Sequence, residues 1–78
     1  MSANSKTTSR TRLERREQEI LQAATELFAS TGFHTTSTRR IAEAAGVSEG
    51  TVFHYFGSKH DLMLAILDRF YTERLSRN

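Results

Sequence analysis

The stretch TRRIAEAAGVSEGTVFHYFG, residues 38–57, decides the fold of this chain. Within it Ala42, Gly46 and Val52 stand four and six positions apart, which is the spacing of a helix-turn-helix. A small residue at the first position lets the second helix approach, and glycine at the second supplies the positive φ that ends the first helix. An ordinary helical hairpin with a glycine turn can contain any one of these residues. The complete spacing favours the helix-turn-helix.

Serine and glycine signals predict where the two helices of this motif begin and end. Ser37 is the expected N-cap of the helix over residues 38–45, because its side-chain oxygen can accept a backbone hydrogen bond. Ser48 is the expected cap of the next helix, which runs from 49 to 55 or 56 and which Gly57 should end. The sequence therefore predicts two short helices joined by a glycine turn.

The preceding segment predicts one longer helix, from about Leu13 to Thr31. Its apolar residues recur with helical spacing at Ile20, Ala23, Ala24, Leu27 and Phe28. Gly32 should end this helix in a left-handed conformation, and Phe33 should then contact Phe28. From these patterns we expect Leu27, Phe28, Ile41, Val52 and Phe56 to be largely buried.

A fourth helix is predicted from about Lys59 into the low seventies, with Ser58 as its cap and Asp61 completing a capping box. Its apolar residues occupy too wide an arc for one buried face: Leu62, Met63, Ile66, Leu67, Phe70 and Tyr71. Leu62 and Ile66 can pack on the other helices, and the remainder suggests a second chain or a following domain. The expected fold is all-α: a small bundle of three helices containing the helix-turn-helix, plus the start of a fourth, connecting helix.

Composition excludes several classes of function. The 78 residues contain no cysteine, so disulfides, thiolate metal sites and cysteine nucleophiles are ruled out. No run of 18 apolar residues is present, so we expect no membrane association, and the polar N-terminus shows no signal peptide. His34, His54 and His60 lack metal-ligand spacing, and no nucleophile stands with a base. We therefore expect no enzyme, no catalytic residue, no metal and no cofactor.

Positive charge is concentrated at the N-terminus. Residues 1–16 carry five basic side chains against Glu14, a net of +4, whereas residues 17–78 carry six basic and eight acidic side chains. Residues 1–12 are rich in Ser and Thr and nearly free of apolar residues, so we expect a disordered basic arm there. Such an arm either binds phosphates or only improves solubility.

The third helix carries the candidate DNA-contacting side chains, since the second helix of such a motif enters the major groove. Val52 and Phe56 should point inward, so Glu49, Gly50, Phe53 and His54 should point outward. Thr51, Glu49 and His54 are the candidates for reading base edges. Thr38, Tyr55 and Lys59 stand at helix starts or on the flank, where they can hold phosphates.

Residues 32–67, GFHTTSTRRIAEAAGVSEGTVFHYFGSKHDLMLAIL, resemble the N-terminal DNA-binding domain of TetR-family transcriptional regulators. The combination of G-F, a Thr/Ser run, I-A, A-G-V-S, G-T-aromatic, Y-F and S-K carries the resemblance, which covers roughly residues 15–67. LacI-type regulators share the A-G-V-S core but continue with fewer aromatic residues.

The resemblance implies a cytoplasmic, nucleoid-associated bacterial repressor that binds double-stranded DNA at a palindromic operator, as a homodimer in its full-length form. It assigns DNA contact to Thr38, Arg39, Ser48, Glu49, Gly50, Thr51, Phe53, His54, Tyr55 and Lys59. Residues 13–78 would form this domain. The family's C-terminal domain, with its ligand pocket and dimer interface, has no counterpart here, so no small-molecule pocket is expected.

Two departures and one alternative accompany this interpretation. Phe53 stands where tyrosine is common, which removes a hydroxyl, and Glu49 stands where a basic residue or glutamine is frequent. A carboxylate is repelled by phosphate but can accept a hydrogen bond from the amino group of cytosine.

The alternative function is a protein-interaction module that uses the apolar face of the fourth helix.

Overall fold

Four helices make up the part of the chain that the structure, a computed structural model, describes: the backbone of residues 4–76 and the side chains of residues 12–72. They are α1 (Asn4–Thr31), α2 (Thr38–Ala45), α3 (Glu49–Tyr55) and α4 (Lys59–Ser76). No strand occurs in this range, which confirms the all-α fold. None of the four helices, over the described residues, has the length and apolar character needed to cross a membrane.

The predicted limits of the helix-turn-helix are confirmed. The Oγ atom of Ser37 accepts a hydrogen bond from the backbone N–H of Arg40 at 3.0 Å, which caps α2. Gly46 follows α2 with φ 76° and ψ 29°, a left-handed conformation that a residue with a Cβ rarely adopts. Its N–H, together with that of Val47, bonds back to the last turn of α2. The turn therefore depends on glycine at this position.

The end of α1 agrees with the prediction, whereas α4 runs to Ser76, beyond the predicted low seventies, and the end of α3 also differs. Gly32 has φ 101°, and the ring centroids of Phe28 and Phe33 lie 5.1 Å apart, as expected. However, α3 ends at Tyr55 and its C-cap is Phe56, whose backbone is extended, so the prediction that Gly57 ends α3 was wrong. A Cβ atom on Gly57 would lie 2.8 Å from Oδ2 of Asp61, so the glycine instead leaves room for that carboxylate.

The start of α1 differs from the prediction. The helix begins at Asn4 instead of near Leu13, so residues 4–12 of the segment expected to be disordered are helical, and residues 1–3 lie outside the described residues. Residues 1–12 are nearly free of apolar residues, which is why the sequence predicted a later start. Extending an existing helix avoids the cost of nucleation, and no Pro or Gly interrupts this segment.

The core lies where α1, α2, α3 and α4 meet. Its buried apolar residues are Ile20, Leu21, Ala23, Ala24, Ile41, Ala42, Val52, Phe56 and Leu62. Burial of Ile41, Val52 and Phe56 confirms the prediction for these three, whereas Leu27 and Phe28 are only partly buried. Phe28 is near the end of α1, where its ring is covered by Phe33. Ile66 also packs against the core, which confirms the predicted inner face of α4.

Candidate nucleic-acid interface

The outer surface of α3 is open to solvent and carries polar side chains beside one exposed aromatic ring. Because Val52 is fully buried, the helix turns the opposite side outward, and the exposed residues there are Glu49, Gly50, Phe53 and His54. This confirms the predicted orientation of α3. Phe53 keeps 45% of its surface exposed, which leaves its ring available for a contact.

The first residues of α2 and α3 are joined by a short hydrogen bond. The hydroxyl of Thr38 donates to Oε2 of Glu49 at 2.6 Å. This length is typical of a hydroxyl bound to an ionised carboxylate. A threonine hydroxyl has one proton to donate, so Thr38 can donate to a phosphate only by leaving Glu49. The bond therefore brings two predicted contact residues together and restrains the Glu49 carboxylate.

Ser48 both caps α3 and holds Thr51. Its Oγ atom accepts from the Thr51 N–H at 3.1 Å and lies 2.9 Å from the Thr51 hydroxyl. The Thr51 side chain is therefore held at the first turn of α3, where it is partly exposed. Replacing Ser48 would remove the cap and the hydroxyl partner of Thr51 together.

Gly50 lies beside these residues, and the protein has room for a larger side chain at this position. A Cβ atom built on it would have its nearest neighbour, Oγ of Ser48, at 3.8 Å, which is ordinary van der Waals contact. The helix itself would thus accept alanine here. A need for glycine at this position would have to come from something that approaches α3 from outside.

The last turn of α3 combines an exposed imidazole with a half-buried phenol ring. The rings of His54 and Tyr55 meet edge to face, with centroids 5.5 Å apart, and Tyr55 also packs against the core.

On α2, Arg39 is exposed, and its Nε atom lies 3.9 Å from the Glu43 carboxylate. Exposed ion pairs of this kind are weak, so the guanidinium can exchange partners at little cost.

Lys59 was predicted to hold a phosphate, but in the structure its ammonium group is bound to backbone carbonyls of the protein. Its ammonium group donates to the backbone carbonyl of Phe33 at 2.6 Å and to that of Thr36 at 3.1 Å. It also lies 4.5 Å from the centroid of the Phe33 ring. The structure thus uses this side chain to join the start of α4 to the connection between α1 and α2. Sequence reasoning had no signal for these contacts, because the partners are more than 20 positions away.

Two arginines on α1 lie beside α3 and were not among the predicted contact residues. Arg12 and Arg16 line one open groove together with Gly50, Thr51 and His54. Both side chains are exposed. Their separation of four residues places them on the same face of a helix, which is the signal that could have identified them. This spacing is informative only if residue 12 is helical, whereas the sequence predicted a disordered arm over residues 1–12.

The described side chains do not assemble a metal site. Among residues 12–72 no group of three or more His, Asp or Glu residues is placed so that it could hold a metal ion. Every buried polar side-chain atom in the same range has a hydrogen-bond partner.

Comparison with known proteins gives matches over the same residues. The family model of bacterial regulatory proteins of the TetR family matches residues 20–66. The chain is 47% identical to the transcriptional repressor AcnR of Corynebacterium glutamicum over 49 residues, which are 63% of this chain and 26% of that protein. It is 42% identical to the transcriptional regulator HbdR of Aromatoleum sp. over 55 residues, 70% of this chain and 24% of that protein.

A third relative is the transcriptional repressor Rv3405c of Mycobacterium tuberculosis, 50% identical over 54 residues, which are 69% of this chain and 29% of that protein. The matched segment is thus less than a third of the length of each of these three relatives. All three are described as transcriptional regulators or repressors of the helix-turn-helix type.

Proposed function

This chain belongs to the TetR family of bacterial regulatory proteins, and we propose that it is the DNA-binding part of a sequence-specific transcriptional repressor. In this proposal α3, residues 49–55, lies in the major groove of an operator. The observation that carries it is the surface of α3, which is polar and exposed beside Thr38 of α2 and the two arginines of α1. No catalytic chemistry is part of this function.

Three side chains of α3 are proposed to read bases. Glu49 and Thr51 lie in its first turn, which would enter the groove deepest, and His54 lies in its last turn, in the same open groove as Thr51. Among them Glu49 has the narrowest chemistry, because an ionised carboxylate accepts hydrogen bonds and donates none. It therefore favours an exposed base amino group, such as N4 of cytosine, and disfavours phosphate.

The side chains around α3 are proposed to hold the DNA backbone. Tyr55 on the flank of α3 was predicted for this role and Arg39 on α2 was predicted to contact DNA; Arg12 and Arg16 join them because of their place in the α1–α3 groove. Arginine suits the role because its planar guanidinium binds phosphate oxygens in pairs. These contacts would fix the position of the helix and carry no sequence information.

We propose that the protein acts as a homodimer that binds a palindromic operator in the bacterial cytoplasm. The support is the named relatives, two of which are repressors, and the exposed apolar residues of α4. Two-fold symmetry in the protein would require two half-sites related by the same symmetry. The spacing of the half-sites then reports how the two copies are joined.

One observation favours a second function, a protein-interaction module. Leu64, Leu67 and Tyr71 on α4 keep more than half of their surface exposed, at 63%, 54% and 67%. If these residues form the whole function, DNA binding would be weak or absent.

The experiment that separates the two functions is a mobility shift with duplex DNA of mixed sequence at low salt. The repressor interpretation predicts a shifted complex, and selection from random duplexes should then yield a preferred sequence. The interaction module predicts almost no shift. Absence of a complex at low salt, where charge attraction to phosphate is strongest, would reject the proposed function.

The α1–α3 groove can be tested with matched arginine substitutions. Removing one phosphate-binding cation should reduce the slope of log K against log salt by about 0.9, so Arg16→Ala should lower the slope and weaken binding to every sequence. Arg69→Ala is the control, because Arg69 is equally exposed but lies on α4. Equal slopes for the two variants would remove Arg16 from the interface.

A further inference from the structure

The ammonium group of Lys59 is bound by backbone carbonyls of the connection between α1 and α2. We propose that Lys59 is a positioning residue, which sets the start of α2 relative to the start of α4 for DNA binding, and that it makes no phosphate contact of its own. This inference rests on the proposed DNA-binding function. It assigns to the side chain a role that its charge and its place at a helix start do not suggest.

The contacts of the ammonium group use its hydrogen-bonding capacity. It has three protons to donate, and it lies 2.6 Å from the carbonyl of Phe33, 3.1 Å from that of Thr36 and 3.5 Å from that of His34. The Phe33 ring, 4.5 Å away, adds a cation–π contact. To bind a phosphate, the ammonium group would have to leave these carbonyls. The partly buried carbonyl oxygens would then lose their charged donor, which is costly.

The position of Lys59 in α4 supports the same conclusion. It is the first residue of the helix, where the positive end of the helix dipole disfavours a cation. The partial negative charges of the three carbonyl oxygens surround the ammonium group and offset this repulsion. The connection between α1 and α2 therefore stabilises the positive charge of Lys59.

That connection leads directly into the proposed DNA-binding surface. Thr36 is buried, with 2% of its surface exposed, and its hydroxyl donates to the carbonyl of Gly32 at 2.6 Å. The next residue, Ser37, caps α2, and Thr38 then bonds to Glu49 on α3. A movement of Thr36 would therefore move the start of α2 and the Glu49 carboxylate. Lys59 restrains Thr36 from the side of α4.

The test compares Lys59→Met, which keeps the aliphatic stem and removes the ammonium, with Arg16→Ala and Arg69→Ala. Affinity for a duplex selected with the unmodified chain is measured over a range of salt, at a temperature where every variant is folded by circular dichroism. We expect Lys59→Met to weaken binding roughly tenfold, the order expected for removing a charged hydrogen bond, with an unchanged salt slope. Arg16→Ala should lower the slope, and Arg69→Ala should change neither quantity.

Two results with Lys59→Met would overturn the proposal. A slope reduced by about 0.9 would show that Lys59 neutralises a phosphate. A lower melting temperature with unchanged affinity in the folded state would show a purely structural role. If the unmodified chain bound no DNA, the proposed function would fail instead, so the two failures are distinguishable.

A measurement on the unmodified chain covers the case in which Lys59→Met does not fold. The chain has two lysines, Lys6 and Lys59, so its side-chain ammonium groups give two nitrogen resonances. We expect a Lys59 resonance with slow proton exchange and couplings to carbonyl carbons, unchanged when duplex DNA is added. Disappearance of these couplings in the complex would contradict the proposal.

Discussion

The starts of α3 and α4 have the same local design but opposite surroundings. In each, a serine precedes the helix and accepts a hydrogen bond at 3.1 Å from the N–H three residues later, Ser48 from Thr51 and Ser58 from Asp61. At α3 the residue after the serine, Glu49, is exposed. At α4 the residue after the serine is Lys59, whose charge is turned onto carbonyls of a distant connection.

This difference shows that a helix start and a charged residue do not by themselves make a phosphate site. Serine caps satisfy orphan N–H groups in both places, so they report only where a helix begins. The availability of the charge depends on which other groups reach it. Lys59 has carbonyl partners, whereas the Glu49 carboxylate is bound on one side by a single hydroxyl and otherwise faces solvent.

The largest expected effect comes from the core beneath both helix starts. Phe56, which ends α3 and leads to α4, keeps 7% of its surface exposed, so Phe56→Ala should lower the free energy of unfolding by about 3–5 kcal/mol. Phe53→Ala is the matched control, since it removes the same ring from an exposed site and should change stability by less than about 0.5 kcal/mol. Thermal or urea melts measure both. Equal destabilisation would show that the two faces of α3 have been confused.

The next effect concerns the open start of α3. Thr51→Ala and Glu49→Ala should change the preferred DNA sequence by about 1–3 kcal/mol at one or two base positions. Selection from random duplexes with each variant measures this shift. Should Glu49→Ala strengthen binding to every sequence alike, its carboxylate would only repel phosphate and would read no base.

The two serines provide a direct comparison of the helix starts. Ser48→Ala and Ser58→Ala should each lower stability by about 1 kcal/mol, because each removes one cap. Only Ser48→Ala should also alter the preferred DNA sequence, since Ser48 holds the Thr51 hydroxyl. Thermal melts and selection from random duplexes measure the two effects. An altered preference in Ser58→Ala would mean that the start of α4 contributes to base reading.

The smallest expected change in stability is at Gly50. Because the protein has room for a Cβ atom there, Gly50→Ala should raise stability by about 0.5 kcal/mol through the lower entropy of the unfolded chain. Binding to DNA, measured by mobility shift, should nevertheless weaken, since the added methyl group would occupy space between α3 and the groove. Stronger binding in Gly50→Ala would place Gly50 outside the contact surface.

Much of the helical framework could be predicted because its signals are local. The cap at Ser37, the turn at Gly46 and the cap at Ser48 each depend on residues within four positions of one another. The prediction was wrong at two helix limits in particular. Gly57 looked like a helix end, but the extended backbone of Phe56 ends α3 one residue earlier. The near absence of apolar residues before Leu13 suggested a start there, but an established helix extends to Asn4.

By itself the sequence determined where α2 and α3 lie, which of their faces is buried and which side chains face outward. Tertiary structure decided three further points: the bond between Thr38 and Glu49, the place of Arg12 and Arg16 beside α3, and the inward direction of Lys59. The physical reason is the range of the interactions. Caps, turns and amphipathic faces are set by near neighbours in the chain, whereas the partner of a long flexible side chain depends on how whole helices pack.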